Sequence, residues 1–464
     1  MSTYFPAPKD AYRTFMAQAE LKSADLEHRR KIRFNMHKYH AAVQTGISQF
    51  TNLPYVREFA KIRKWQAIEH LHEQLLQFEK QAIKNGAEVY WAADAAEANE
   101  IIGLICREYN AKTVVKSKSM VTEEIHLNDF LENIGIRSIE TDLGEYIQQL
   151  DEEPPYHIVT PAMHKSKEDV ARLFANKLGC EPNLSPEELT QVARFHLRKQ
   201  FAEAEVGITG ANFLIAETGS IALTENEGNA RLSTTFVNVH IAIAGIEKVI
   251  PSLKDLAIFW PLLSTFGTGQ KVTSYNTIIS GPAKPGETDG PERMVIILLD
   301  NGRTHMLADP KVREALFCIR CGSCLNACPV YRNIGGHTYG VTYSGPIGKV
   351  ITPWLEGWEY KHLSHASSLC GACTDACPVN IQLHELLLYN RHEAVRRGRS
   401  ALAERLAWKG WKTACQSRAL FNVSNGRLKT KMVSNLFTVW TKHRNKLEFA
   451  PKTFNEMWKD GDLG

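Results

Sequence analysis

CIRCGSCLNACP, residues 318–329, sets three cysteines two residues apart, a fourth three residues further on, and a proline behind the last. Cys318, Cys321 and Cys324 can take three corners of an iron-sulfur cube from one turn of chain, while Cys328 leaves on the next helix and points elsewhere. In two-cluster proteins of this spacing the fourth cysteine ligates the other cluster. SSLCGACTDACPV, residues 367–379, is a degenerate copy in which Cys370, Cys373 and Cys377 with Pro378 repeat the last positions and Ser367 stands where the first cysteine would be. By the crossed rule one cluster takes Cys318, Cys321, Cys324 and Cys377, and the second takes Cys328, Cys370 and Cys373, one thiolate short. Ser367 or Ser368, His365, the downstream Cys415, a water, or nothing in a three-iron form would complete it. Zinc also binds thiolate pairs at this spacing. Seven cysteines, three interlocked pairs and a proline after each terminal cysteine speak against it.

Working outward, seven of the ten cysteines lie between Cys318 and Cys377, which fits metal ligation in a reducing compartment and not a disulfide scaffold. Cys106, Cys180 and Cys415 read as buried apolar fillers. The 41 residues from 329 to 369 include Gly335-Gly336-His337 and Tyr343-Ser344-Gly345-Pro346-Ile347-Gly348. So long a spacer argues for helices wrapped around the clusters, with glycines where backbone comes close and His337 as a hydrogen-bonded structural histidine. A small helical domain is expected over 306–400.

Upstream, apolar runs and amphipathic stretches take turns: AEVYWA, a helix over 96–109, KTVVKSKS, a helix near 121–133, IRSIETD, HIVTPAMH, and a helix opened by Ser166 with Asp169 as its capping-box partner. A helix over 187–204, strand-like runs over 213–224 and 238–250, a helix over 251–263 and MVIILLD ending at Asp300 complete the pattern. This order predicts an α/β domain, roughly 76–305, with a mostly parallel sheet covered by helices. KPGETDGPE, 284–292, reads as an exposed loop. Residues 1–75 form an N-terminal helical segment; helical character runs over about 20–85, with Ile62, Trp65, Ile68, Leu71, Leu75, Phe78 and Ala82 marking one buried face up to a stop at Gly86.

Lys116-Ser117-Lys118-Ser119 sits between a predicted strand and a predicted helix and is a candidate anion site for a carboxylate or phosphate, against the plainer reading of a solvated loop with a serine cap. Arg231 is a second candidate anion clamp. No catalytic triad, HExxH or close carboxylate pair is legible, so catalytic residues are unassigned.

The 464 residues carry 55 Lys+Arg against 51 Asp+Glu, a net charge of +4, with 44% hydrophobic residues. So weak a field argues against a dedicated nucleic-acid binder. The longest apolar stretch, 241–263, is broken by Glu247, Lys248, Lys254 and Asp255, whereas a membrane span needs ~20 apolar residues. The first twenty residues have no apolar signal core, so the expected compartment is the cytoplasm. The C-terminal extension, 401–464, is basic and interleaved with Trp408, Trp411, Phe421, Phe437, Trp440, Phe449 and Trp458. It reads as a solvated helical extension, with peripheral association to a partner or an anionic membrane surface as the alternative.

These residues are specific enough to name a family. VVKSKSMVTEEI (114–125), ETDLGEYI (140–147), IVTPAMHK (158–165), GITGANFLIAETGS (207–220), the 318–340 cysteine segment, YSGPIG (343–348) and SSLCGACTDACPV (367–379) resemble the lactate utilisation protein B family, iron-sulfur subunits of bacterial L-lactate utilisation systems. The resemblance implies an α/β domain similar to sugar-phosphate isomerase and CoA-transferase-like sheets, fused to a two-cluster ferredoxin-like domain. It implies two [4Fe-4S] clusters, one on Cys318, Cys321, Cys324 and Cys377, the other with three assigned ligands matching Cys328, Cys370 and Cys373. It implies partners, a second cysteine-rich redox subunit and a lactate-utilisation-domain protein, in a complex that oxidises L-lactate to pyruvate so that lactate serves as carbon source. The expected role is a non-catalytic electron relay. The alternatives are a subunit of a related glycolate oxidase or heterodisulfide reductase-like complex, or an α/β domain that itself binds and oxidises the hydroxy acid.

Overall fold

A strand buried on both faces is apolar at nearly every position, because successive side chains point to opposite sides. VHIAIAG and RMVIILL are two such runs, and they lie side by side in the middle of the main sheet. A computed structural model describes residues 7–422, 426–436, 441 and 444–462. Its strands, in chain order, are β1 (Glu88–Ala92), β2 (Thr113–Lys116), β3 (Arg137–Glu140), β4 (Val206–Thr209), β5 (Phe213–Ile215), β6 (Ser220–Glu225), β7 (Val239–Gly245), β8 (Val249–Ile250), β9 (Tyr275–Ile279) and β10 (Arg293–Leu299). Six of them form an all-parallel sheet in the order β1-β10-β7-β4-β2-β3. The others form a smaller sheet, β8-β5-β6-β9, built on the antiparallel β5–β6 pair.

The alternation divides the core. Val239, Ile241, Ile243, Val295, Ile297 and Leu299 face Ile102 and Ile105 of the helix Ala95–Glu108. Ala242, Ala244, Met294, Ile296 and Leu298 face the other way, toward the small sheet, the helix Leu256–Thr268 and the cysteine segments. The expected mostly parallel, helix-covered sheet is therefore present, and the second sheet lies beneath one of its faces.

Sequence and structure part in three places. HIVTPAMH, residues 157–164, is a string of bends and turns and not a strand, since Pro154, Pro155 and Pro161 remove donors that a ladder would need. The helix near 121–133 is two, Met120–Glu124 and Leu127–Asn133, broken at His126 with φ of 52°. The long N-terminal stripe is interrupted at His70, between helices Leu53–Glu69 and Leu71–Lys84. In the first of these the buried positions are Ala60, Lys64, Ala67 and Ile68, leaving Ile62 and Trp65 42% and 50% exposed. Lys64 takes the inward place because its ammonium donates to the backbone carbonyls of Glu247 (2.6 Å) and Val249 (3.3 Å), a burial that apolar periodicity cannot reveal.

The Ser166–Asp169 capping box and the positive φ of Gly86 are as expected. The chain divides into two compact units after Glu393. In the first, Phe15, Ile32, Met36, Ala60 and Phe78 from the N-terminal helices share one core with β5, β6 and Cys321, Cys324, Cys328, Cys373 and Cys377. The second consists of short helices, Leu402–Gln416, Arg418–Phe421, Gly426–Leu436 and Phe454–Asp460, and leaves Trp408, Trp411, Phe421, Phe449 and Trp458 exposed. Phe437 and Trp440 lie outside the described residues. Among the described residues no helix is long and apolar enough to cross a membrane.

Candidate metal centre

The two cysteine loops are copies of one another, displaced by 49 residues (318 to 367). Arg320 and Leu369 both have left-handed φ, 62° and 54°, and so do Gly322 and Gly371, 76° and 82°. Each pair brackets a cysteine, Cys321 or Cys370, and opens a short helix, Ser323–Ala327 or Ala372–Asp375. The backbone bonds correspond: Leu325 and Asn326 donate to the Gly322 carbonyl as Thr374 and Asp375 donate to that of Gly371. Cys328 and Cys377 close the loops before Pro329 and Pro378, which cannot continue the hydrogen-bond pattern.

The thiols fall into two groups. Cys321 feels the charges of Cys377 and Cys318, and Cys324 feels those of Cys318, Cys321 and Cys377. Cys373 instead feels Cys328, and Cys370 lines one cavity with both of them, together with Ser367, Ser368 and His384. Burial pushes the Cys377 thiol up to about 12 and that of Cys373 to about 11, so as free thiols they are protonated and metal binding must displace protons.

The surroundings suit an anionic metal group. Lys64, Lys248 and Arg320 all lie near enough to Cys318 to feel its charge. With Arg303, Lys64 and Lys248 make three buried cations, and half-buried Arg320 a fourth cation, against two buried carboxylates, Glu124 and Glu247. Arg303 uses both carboxylates, at 2.8 Å and 2.6 Å, and Arg320 reaches Glu247 at 3.2 Å. The surplus positive charge is what a thiolate-ligated cluster would offset. Around the second set, Lys349 is fully buried with Nζ 3.7 Å from Cys328 Sγ, and it donates to the Ala366 carbonyl at 2.6 Å. From the N-terminal helices, Arg57 Nη2 donates to the carbonyls of Cys377 (2.6 Å) and Asp375 (2.9 Å), pinning the second loop from outside. Sequence reading missed Arg57, Lys64, Lys248, Lys349 and Arg320, of which only Arg320, lying inside the motif, carried a local signal.

The candidate anion string divides. Lys116 is fully buried and paired with Glu140 (2.7 Å) and Glu123 (2.9 Å), so it has no charge to offer a ligand. Ser119 caps the helix Met120–Glu124. Ser117, Lys118 and Ser119 do line a cleft, with Asn212 and Lys248 of the α/β region and Arg320 and Tyr343 of the cysteine segment. Lys118 donates to the Val159 carbonyl at 2.5 Å. Lys248 has no hydrogen-bond or ion-pair partner among the described residues, and burial and Arg320 pull its ammonium down to about 8. Arg320 Nη1 is likewise buried without a partner. Arg231 lies over the Tyr275 ring, 5.4 Å from its centre, and is not among the residues that line the cleft, although its neighbour Ala230 is.

His337 donates from Nε2 to the Pro154 carbonyl at 2.7 Å, the structural part expected of it. Glu153, His164 and His337 draw together, but Lys165 stands 2.9 Å from Glu153 and supplies the positive charge there. Of the lone cysteines Cys106 is buried, Cys180 half-buried and Cys415 exposed, so the filler reading fails for Cys415.

Family models match along the chain: a LUD domain over residues 75–299, a 4Fe-4S dicluster domain over 314–381, and the C-terminal domain of lactate utilisation protein B over 391–462. Lactate utilization protein B of Shouchella clausii is 49% identical over 367 residues, 79% of this chain and 77% of that protein. Its counterpart from Bacillus cytotoxicus is 44% identical over 422 residues, 88% of this chain and 89% of that protein. A crystal structure of a duf162 family protein from Deinococcus radiodurans aligns with 49% of this chain and 98% of its own at 16% identity, with a TM-score of 0.29, too low to inform the fold. With a relative of 44% identity spanning nearly nine-tenths of both chains, and a dicluster family model matched over the cysteine segment, this chain belongs to the lactate utilisation protein B family.

Proposed function

We propose that this chain is the electron-transfer subunit of a multi-protein assembly that oxidises L-lactate to pyruvate in the cytoplasm. In this reading it holds two [4Fe-4S] clusters, one on Cys318, Cys321, Cys324 and Cys377 and one on Cys328, Cys370 and Cys373. The observation that carries the reading is the crossed gathering of thiols from two copied loops. When bound, the clusters supply one-electron transfer. The chain's own residues set their surroundings: buried Lys64 and Lys248 and half-buried Arg320 place positive charge beside the first group of thiols, and Lys349 does so beside the second. The proposed partners are a second cysteine-rich redox subunit and a separate lactate-utilisation-domain protein. The exposed aromatic face of the second unit is the proposed docking element.

Anaerobically purified protein is expected to carry about eight iron and eight sulfide per chain and to stay oxidised with L-lactate until the partner subunits are added. Zinc in place of iron and sulfide would sink the reading.

The cleft favours a second reading. Arg320 Nη1 is buried without a partner, and Arg320 and Lys248 both line the cleft, placed to receive a carboxylate between the α/β region and the first cysteine loop. In this reading the hydroxy acid binds here. Prompt EPR-detected reduction by L-lactate alone, lost in Lys248→Met, is its expected signature, and silence toward lactate alone removes it.

A further inference from the structure

The second set of thiols is one short, and the copied loops identify what stands in the missing position. We infer that Ser367 Oγ is the fourth ligand of the second cluster. Ser367 is the counterpart of Cys318 in sequence, and the structure gives the two side chains the same local task. Cys318 Sγ accepts from the Arg320 backbone N–H at 3.4 Å, and Ser367 Oγ accepts from the Leu369 N–H at 3.1 Å. Both contacts run from a side chain to the amide two residues on, across a residue pair ending in left-handed φ. The serine oxygen is therefore placed as a cysteine sulfur is placed, and it lines the same cavity as Cys328, Cys370 and Cys373.

The loop is held for this role. Arg391 donates to the carbonyls of Ser367 (2.9 Å) and Ser364 (3.0 Å), and Lys349 to that of Ala366. The stretch leading into the ligand position is thus tied at three carbonyls. An alkoxide here is anionic, and it keeps the Leu369 N–H as a donor and Lys349 as the neighbouring cation that also meets Cys328. Ligation forms an iron–oxygen bond and breaks the serine O–H, with the proton released to solvent and no change of oxidation state. His384 lines the same cavity, but its Nδ1 lies 2.8 Å from Thr374 Oγ1 and it has no counterpart at the ligand position of the first loop.

The inference rests on the two-cluster reading, and the experiment separates them. Full-length protein is purified anaerobically as wild type, Ser367→Ala, Ser367→Cys, Ser368→Ala, His384→Ala and Cys415→Ala, and compared by iron and sulfide content, EPR and Mössbauer spectroscopy. Ser367→Ala is expected to lose one iron of about eight and to show a three-iron EPR signal. Ser367→Cys keeps its iron and changes the spectrum of the second cluster only, a change that a serine merely supporting the loop would not produce. Added 2-mercaptoethanol alters the spectrum of Ser367→Ala and leaves wild type unchanged. Loss of the iron in His384→Ala or Cys415→Ala, a thiol response in wild type, or a Ser367→Ala variant with all its iron overturns the assignment of Ser367 alone. Wild type without iron and sulfide overturns both readings.

Discussion

Arg303 is the side chain on which the buried charge of this molecule turns. It is 1% exposed and holds Glu124 and Glu247 at once, while Tyr343 adds its hydroxyl to Glu124 at 2.6 Å. Removing one partner of a buried array leaves carboxylates without compensation, so Arg303→Met is expected to destabilise the chain by about 3–5 kcal/mol in chemical denaturation. Acid acts on the same scale. Burial raises the Glu247 carboxyl, but Arg303, Arg320 and Lys248 outweigh it and hold the group at about 2, below its ordinary 4.5. Burial also lowers His28 to about 4 and His240 to about 3 from 6.5. In every case the unfolded chain takes up the proton first. The stability these groups contribute is present at neutral pH, declines from 6.5 downward as unfolded histidines charge, and declines further below 4.5 as unfolded glutamate protonates. Denaturation midpoints that fall between pH 7 and pH 5 would agree, and a rise would refute it. At the cysteines, the proposed pair of clusters predicts that Cys321→Ala removes about four of about eight irons, while Cys415→Ala, at an exposed position, keeps them all; iron analysis checks both.

At the scale of elements, the cysteine segment docks by backbone on backbone. A Cβ on Gly336 would lie 1.8 Å from the Tyr156 carbonyl oxygen, whereas one on Gly371, with φ of 82°, would meet nothing within 4 Å. Gly371→Ala therefore carries only left-handed strain, about 1 kcal/mol, and is expected to retain iron. Gly336→Ala must separate the 331–340 segment from 154–161 and is expected to lose iron and lower the melting temperature. The sequence made the parallel strands legible because β7 and β10 are apolar at alternate positions on both faces. It made the loops legible because cysteine spacing is itself geometry. It misled over 157–164, where buried apolar residues lie in turns, and over Lys64 and Lys116, whose burial depends on carbonyls and carboxylates more than a hundred residues away or on the next strand. Contacts of that kind leave no periodic trace.

Across the first unit, helices from the amino end reach the loops near its carboxyl end. Arg57 grips the Cys377 carbonyl, and Lys61 joins Glu314 at 2.7 Å and the Asn380 carbonyl at 3.3 Å. Deleting residues 1–70 is therefore expected to cost both clusters, and not only the second, because Phe15, Ile32 and Met36 leave the core that contains Cys321 and Cys324. Full iron retention in the truncated protein would contradict this. That common core joins two quantities that a modular redox protein would keep apart. Thiols that form part of the main hydrophobic interior cannot lose their metal without loosening the sheet-side packing as well, so the unloaded chain is the more easily unfolded one. Proteases act on what unfolds. The amount of this protein that survives in a cell thus becomes a running measure of how well that cell can assemble iron and sulfide.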